Sequence, residues 1–255
     1  MNLRLEAELA LQYKSPSQKA RVLTEAWVAS NIYCPSCGIE IKKYESNRPV
    51  ADFHCVRCAE EYELKSKANL IGSKIVDGAY RTMLERLASN RVPSLFLLSY
   101  SLQDYSIIDF FTIPKHFFVS SLIERRLPLS PNARRAGWVG CNIRIDGIPN
   151  SGRIYYIRNK HVESKKTVLE AWKRTLFLRD EKENLSKRWI LDVMRCIDSL
   201  GKKEFELNEI YVFEKNLAKD YPRNKHIKDK IRQQLQILRN KGYLDFIGNG
   251  RYSLI

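Results

Sequence analysis

The chain has 255 residues, 44% of them apolar, which is enough to bury one large core or two smaller ones. Its net charge of +15 is spread along the sequence and not gathered in a tail: 15 basic against 9 acidic residues from Asn184 onward, and 29 against 20 before it. No apolar run is long enough to cross a bilayer, no signal-peptide cleavage pattern opens the chain and no basic amphipathic helix stands out, so the expectation is a soluble cytoplasmic protein that meets a polyanion and no membrane.

From Ser17 to Ser30 the sequence SQKARVLTEAWVAS reads as a helix, with Ser15 or Ser17 as N-cap and Val22, Ala26 and Trp27 at helical spacing. Glu25 on this helix is expected in solvent rather than behind a metal site. Two Cys-x-x-Cys pairs follow, Cys34 with Cys37 and Cys55 with Cys58, separated by seventeen residues. That spacing suits a site of four thiolates, and four thiolates close a tetrahedral Zn²⁺ shell with no position left for water, so the ion is expected to be structural. His54, beside Cys55, is a weaker ligand candidate. Cys141 and Cys196 stand alone in apolar surroundings and are expected to be buried packing residues.

Asp52 precedes the second cysteine pair, and Glu63-Leu64-Lys65 follows it. Residues two apart in a strand point to the same face, which places Glu63 beside Lys65. If Asp52 ends a neighbouring strand, the three form a compact cluster. Two such carboxylates can hold Mg²⁺, and the lysine can orient or deprotonate a water for attack on phosphorus. The bland alternative is an exposed charged hairpin, because Glu-x-Lys occurs by chance in many strands. Glu60 and Glu61 are expected in solvent.

Next, GSKIVDGAYRTMLERLAS puts Met83, Leu84 and Leu87 on one helical face, and SLFLLSYS and SIIDFFTIP have the length and composition of buried strands. Between Leu127 and Ile143, turn residues combine with Arg134, Arg135 and Trp138. The arginines can grip phosphates or a guanine edge and the tryptophan can stack on a base; a surface loop with a core tryptophan fits equally well. GRIYYIRN reads as a strand, and TVLEAWKRTLFL as a helix with Val168, Leu169, Trp172 and Leu176 in one stripe. The charged run RDEKENLSKR then marks a boundary near residue 183, giving domains 1–183 and 184–255.

In the second domain Ile190, Val193, Met194, Ile197 and Leu200 make an amphipathic helix, EFEL a short strand and NEIYVFEKNLAKDY a second helix. HIKDKIRQQLQILRNKG makes a third, with Ile227, Ile231, Leu235 and Leu238 inward and Gly242 placed to end it. A hairpin around Gly248-Asn249-Gly250 completes the order of a winged helix. The outward face of the third helix carries Lys228, Arg232, Gln233, Gln236 and Arg239, side chains suited to phosphates and to guanine and adenine edges. Asn249 and Arg251 on the hairpin are weaker candidates for phosphate contact.

The segments SQKARVLTEAWV, RPVADF, EYELKSK, ARRAGWVGCNI and HIKDKIRQQLQILR, with the four cysteines, span almost the whole chain and resemble the PD-(D/E)XK nuclease superfamily, specifically its DpnI-like restriction endonucleases. One departure is that Pro49 stands three residues before Asp52 and not directly before it. The resemblance implies an α/β fold, a PD-(D/E)XK sandwich with a zinc knuckle, followed by a winged-helix domain. It implies a Mg²⁺-dependent type II enzyme of a restriction system. Such an enzyme hydrolyses double-stranded DNA at sites containing N6-methyladenine, namely GATC with both adenines methylated. Asp52, Glu63 and Lys65 would be catalytic, the two acids holding the metal, and the Arg134, Arg135 and Trp138 loop would face the adenine methyls. The alternative is a zinc-stabilised winged-helix regulator that binds DNA without cutting it, which leaves the acid and the Glu-x-Lys pair around the zinc turn unexplained. A weaker one is a nuclease acting on RNA. A single winged helix and no coiled-coil repeat fit a monomer.

Overall fold

The computed structural model describes residues 1–45, 51–181 and 184–255. They fall into two compact units: Met1–Asp146 with Ser151–Thr175, and Gly147–Asn150 with Leu176–Ile255. Arg48, Pro49 and Val50, which carry part of the RPVADF likeness, and Lys182 and Glu183, at the expected boundary, lie outside the described residues.

In the first unit the chain runs α1 (Pro16–Asn31), β1 (Ile41–Lys43), β2 (Phe53–Cys55), β3 (Glu61–Ala68), β4 (Lys74–Ala79), α2 (Tyr80–Ala88), β5 (Ser94–Tyr100) and β6 (Ile107–Ile113). It continues through β7 (Ile123–Arg125), β8 (Gly140–Arg144), β9 (Ile154–Arg158), β10 (His161–Val162) and α3 (Lys165–Thr175). Seven strands form one sheet in the order β1-β2-β3-β5-β6-β9-β10, and a second sheet has the order β4-β8-β7. Within the large sheet β3 and β5 are parallel and the other described pairs are antiparallel. Parallel neighbours need a crossover, and the chain between them supplies β4 and α2. The stretch GSKIVDGAYRTMLERLAS is therefore a strand followed by a helix.

β5 is buried at every position, as suits a central strand covered on both faces. One of those faces carries a row of aromatic rings, with Tyr62 on β3 stacked on Phe96 of β5 at 4.3 Å, Phe96 against Phe110 of β6 at 5.3 Å and Phe110 against Tyr156 of β9 at 5.3 Å. Trp27 of α1 meets Phe110 edge-on at 5.4 Å, and Trp172 of α3 lies 6.5 Å from Tyr62. Such pairs add about 0.5–1.5 kcal/mol each beyond the burial of their area. The alternation of β3 follows from this row: Tyr62 points into the aromatic layer, so Glu63 and Lys65 point to the opposite face.

α1 starts after an extended Ser15 with Pro16 in its first turn, where the missing N–H has no intrahelical partner to lose. Its buried residues are Leu23, Thr24, Glu25, Trp27 and Val28, while Val22 and Ala26 are half-buried, so the buried stripe lies about one position beyond the expected one.

The second unit contains α4 (Asn184–Ser199), β11 (Glu204–Glu206), α5 (Leu207–Tyr211), α6 (Glu214–Asp220), α7 (Ile227–Asn240), β12 (Leu244–Gly248) and β13 (Arg251–Leu254). Its sheet has the order β11-β13-β12. Ile190, Val193, Met194 and Ile197 are buried, as are Ile227, Ile231, Leu235 and Leu238. Gly242 takes φ +70° after α7, and the Tyr243 N–H reaches back to the Leu238 carbonyl at 2.9 Å, a Schellman end. The second helix of the sequence reading is in fact two. At Phe213 the N–H bonds three residues back, to Ile210, and the chain turns before α6, because Val212 and Phe213 are poorer helix formers than their neighbours.

Candidate active site

β2 and β3 run antiparallel, pairing Phe53 with Tyr62 and His54 with Glu61, and Asp52 enters just before β2. The Asp52 Oδ2 accepts the backbone N–H of Leu64 at 2.7 Å, which fixes this carboxylate beside the residues that flank Leu64. On β3, the Lys65 Nζ lies 2.5 Å from Glu63 Oε1. It also donates to Asp77 Oδ1 at 2.7 Å, an acid brought by β4 of the second sheet. Asp52, Glu63 and Lys65 thus come together, and sequence reasoning missed Asp77. The only signal for it was an acid in the apolar run KIVDGA, which turns from a helix into a strand once the crossover is recognised.

Burial raises the Asp52 carboxyl above its usual range against the pull of the Leu64 N–H, with nearby Glu25 adding to the rise. Burial also raises Glu63, with Lys65 opposing and the charges of Asp77 and Asp52 reinforcing. For Lys65 burial acts downward, but Glu63 and Asp77 overcome it and raise the ammonium's pKa. The acids crowd one another electrostatically, and Lys65 is a fixed cation between two of them. Crowded, partly desolvated carboxylates are the donor type that a hard divalent cation relieves.

Glu25 corrects the sequence reading. It is 5% exposed, not solvated, and pairs with Arg21 at 2.6 Å and Lys43 at 2.7 Å on the Asp52 side of the site. Glu60 is also buried, 3.7 Å from Lys115, because it closes the second cysteine turn from inside. Glu61 is half-buried and accepts from the Tyr44 hydroxyl at 2.7 Å.

Cys34, Cys37, Cys55 and Cys58 bring their sulfurs within 4.8 Å of one another. Cys34 approaches Cys58 at 3.5 Å and Cys37 approaches Cys55 at 3.4 Å. A tetrahedron with Zn–S of about 2.3 Å has edges of about 3.8 Å, so the donor set and its dimensions fit such an ion. The two turns are built alike. Cys34 and Cys55 each donate their N–H to the carbonyl five residues on, at 2.8 Å, and each accepts from the N–H four residues on, Gly38 at 2.8 Å and Ala59 at 3.1 Å. Gly38 and Ala59 both have positive φ, +74° and +55°. Burial acts to raise the Cys55 thiol, but the N–H groups of Cys58 and Arg57 outweigh it and bring it down to about 7. The Tyr62 hydroxyl lies 3.1 Å from the Cys34 sulfur, which links the cluster to the aromatic core. His54 stacks on Tyr44 at 4.2 Å and is not among the clustered ligands. Cys141 and Cys196 are buried, as expected.

Arg134, Arg135 and Trp138 lie on the arm that joins β7 to β8, both arginines exposed and the tryptophan half-buried. The Arg135 guanidinium covers the Trp138 ring at 4.8 Å, and a Cβ on Gly140 would meet that ring at 2.8 Å. The indole is therefore held between an arginine and a glycine backbone. In the second unit Lys228, Arg232, Gln233, Gln236 and Arg239 are all exposed on one side of α7. Lys228 is 3.5 Å from Glu214 and Arg232 pairs with Asp229, while the Gln233 carbonyl accepts from Lys230 at 2.7 Å.

Residues 1–181 match the model of the DpnI family, described as the Dam-replacing family, and residues 185–253 match the Dam-replacing HTH domain, DpnI_C. The chain belongs to the DpnI family. That membership implies a nuclease of a methylation-dependent restriction system, and the HTH domain implies DNA binding. In this DpnI-family chain the acids, the lysine and the cysteine cluster all lie within the first matched region, and α7 with its exposed polar face lies within the HTH domain. No helix among the described residues is long and apolar enough to cross a membrane.

Proposed function

We propose that this protein is a Mg²⁺-dependent type II endonuclease that cuts double-stranded DNA at GATC when both adenines carry N6-methyl groups. The observation that carries this reading is the convergence of Asp52, Glu63 and Lys65 beside a four-cysteine cluster in a DpnI-family chain. It supports a PD-(D/E)XK nuclease sandwich in residues 1–183 and a winged helix in residues 184–255, the latter favoured by the β12–β13 hairpin that follows α7. We read the protein as a cytoplasmic monomer.

Asp52 and Glu63 would hold the magnesium ion, which would supply charge stabilisation at the reacting phosphate and lower the pKa of a water. Asp52 is oriented for this by the Leu64 N–H on one oxygen, and its second oxygen, with no partner among the described residues, would face the cation. Lys65, gripped by carboxylates on two sides, acts as an ammonium that orients the attacking water and stabilises the charge that builds on the phosphate oxygens. The four cysteines would hold Zn²⁺ and fix the turn between β2 and β3. Arg134, Arg135 and Trp138 in the first domain, and Lys228, Arg232, Gln233, Gln236 and Arg239 in the second, would contact the duplex.

Selectivity for methylated DNA has a magnitude problem that two DNA-reading domains ease. Burying one methyl group contributes about 0.8 kcal/mol, roughly a fourfold preference. If each domain reads both methyls of a site, four contacts give about 3 kcal/mol, on the order of a hundredfold.

The test is digestion of N6-methylated and unmethylated plasmid with Mg²⁺ present or withheld. Cleavage of the methylated plasmid alone, and only with Mg²⁺, is the expected result. Intact methylated plasmid with binding demonstrated would favour a regulator that binds without cutting, and degradation of an RNA incubated in parallel, with both plasmids left intact, would favour the nuclease acting on RNA.

A further inference from the structure

We infer that Asp77 is a positioning residue for Lys65 in the cleavage step, holding the ammonium in place when Glu63 turns to a divalent cation. The inference rests on the reading of Lys65 given above. In the structure Lys65 is shared between Glu63 at 2.5 Å and Asp77 at 2.7 Å. Glu63 cannot serve Lys65 and a metal equally: once its carboxylate binds a cation, the attraction it exerts on a neighbouring ammonium falls. Without a second anchor, a side chain with four rotatable bonds would swing away from the reacting phosphate.

Asp77 has the placement this role needs. It comes from β4 of the second sheet, so its backbone is held by other strands than the one that carries Glu63. It is the more sheltered of the two acids, its side chain 13% exposed against 25% for Glu63. The strand is shaped around it: the pairing of β4 with β8 slips by one residue between Asp77 and Ala79, making a bulge at Gly78. Bulges re-aim the side chains beside them. Behind the bulge the buried Cys141, paired in register with Asp77, reaches the Gly78 carbonyl with its thiol at 3.4 Å.

The experiment is a double-mutant cycle on the full-length protein with Mg²⁺, using single-turnover cleavage of a duplex with a fully methylated GATC site. Asp77→Asn is expected to lower the cleavage rate by about 10²-fold, the scale of a catalytic group misplaced by about 1 Å, with duplex affinity changed less than about twofold. In a Lys65→Ala background the same substitution is expected to cost nothing further, since Asp77 acts through Lys65. Asp77→Glu, which keeps the charge and shifts it by one methylene, is expected to recover part of the lost rate. Full additivity of Asp77→Asn and Lys65→Ala, or an unchanged rate in Asp77→Asn, overturns the inference while leaving Lys65 as proposed. Full cleavage by Lys65→Ala alone instead sinks the reading of Lys65 and the inference with it. If Asp77→Asn alone does not fold, the double variant decides: a protein that folds and cleaves at the rate of Lys65→Ala supports the inference, and one that folds but cleaves more slowly, or that also fails to fold, overturns it.

Discussion

The Asp52 carboxylate accepts the Leu64 backbone N–H at 2.7 Å, so the acid that precedes β2 is tied to the strand that carries Glu63 and Lys65. One oxygen of Asp52 thus has a structural task, and the proposed reading gives the other, with no partner among the described residues, a chemical one. The two tasks separate by mutation. Asp52→Asn keeps an acceptor for Leu64 but loses the charge; cleavage is expected to fall at least about 10²-fold while the melting temperature holds or rises. Asp52→Ala removes the acceptor as well and is expected to cost a further 1–3 kcal/mol or so of stability, read by denaturant unfolding.

The cysteine cluster predicts a metal content. Metal analysis is expected to find one zinc per chain, and a strong chelator is expected to unfold the first unit and abolish cleavage, with added Mg²⁺ unable to restore it. Cys37→Ser and Cys58→Ser should both lower zinc occupancy. Zinc-free protein with an unchanged melting temperature would contradict this.

The likeness of the two cysteine turns yields a finer prediction. Each places a residue at positive φ after its second cysteine, glycine at position 38 and alanine at position 59. A left-handed alanine costs roughly 1 kcal/mol that glycine does not. Ala59→Gly is expected to stabilise the protein by up to about that amount, and Gly38→Ala to destabilise it by at least as much, both measured by thermal melting.

Asp192 in α4 provides a pH dependence. Burial raises its carboxyl above the usual carboxylate range, against the opposing hydrogen bond from the Tyr221 hydroxyl at 2.6 Å and the nearby Arg195 and Arg188. A raised folded value means that its contribution to stability is fully present below the unfolded pKa near 3.8 and is lost as pH rises through the folded one. Asp192→Asn, which does not ionise, is expected to gain on the parent protein as pH climbs from about 4 toward neutrality. Parallel pH–melting curves for the two proteins would refute the assignment.

If the exposed face of α7 meets the duplex as proposed, anchoring and reading separate by mutation. Arg239→Ala, if its guanidinium meets a phosphate, is expected to weaken binding equally for all duplexes and reduce the slope of log affinity against log salt by about 0.9. Gln236→Ala is expected to leave that slope alone and to narrow the gap between methylated and unrelated sites by about 1–3 kcal/mol, as seen in competition binding.

What the sequence disclosed depended on how local the signal was. The cysteine turns, the pairing of Glu63 with Lys65 along one strand and the inward residues of α7 follow from spacing within a single element, and each was legible. Asp77 was not, because its meaning comes from a second sheet: nothing in KIVDGA says that a strand there will run against Gly140–Arg144 and turn its acid toward β3. Glu25 and Glu60 misled for the opposite reason. Charged side chains are usually solvated, and these two are buried because cations from other elements, Lys43 and Lys115, come to meet them.

The sheet β4-β8-β7 carries Asp77 on one outer strand, and the arm with Arg134, Arg135 and Trp138 springs from the connection between its other two. A duplex seated on that arm would press on the same three-stranded platform that supports the lysine's far anchor. Discrimination at the arm and readiness at the scissile bond would then share one fulcrum, and a target rejected at the first would leave the second untouched.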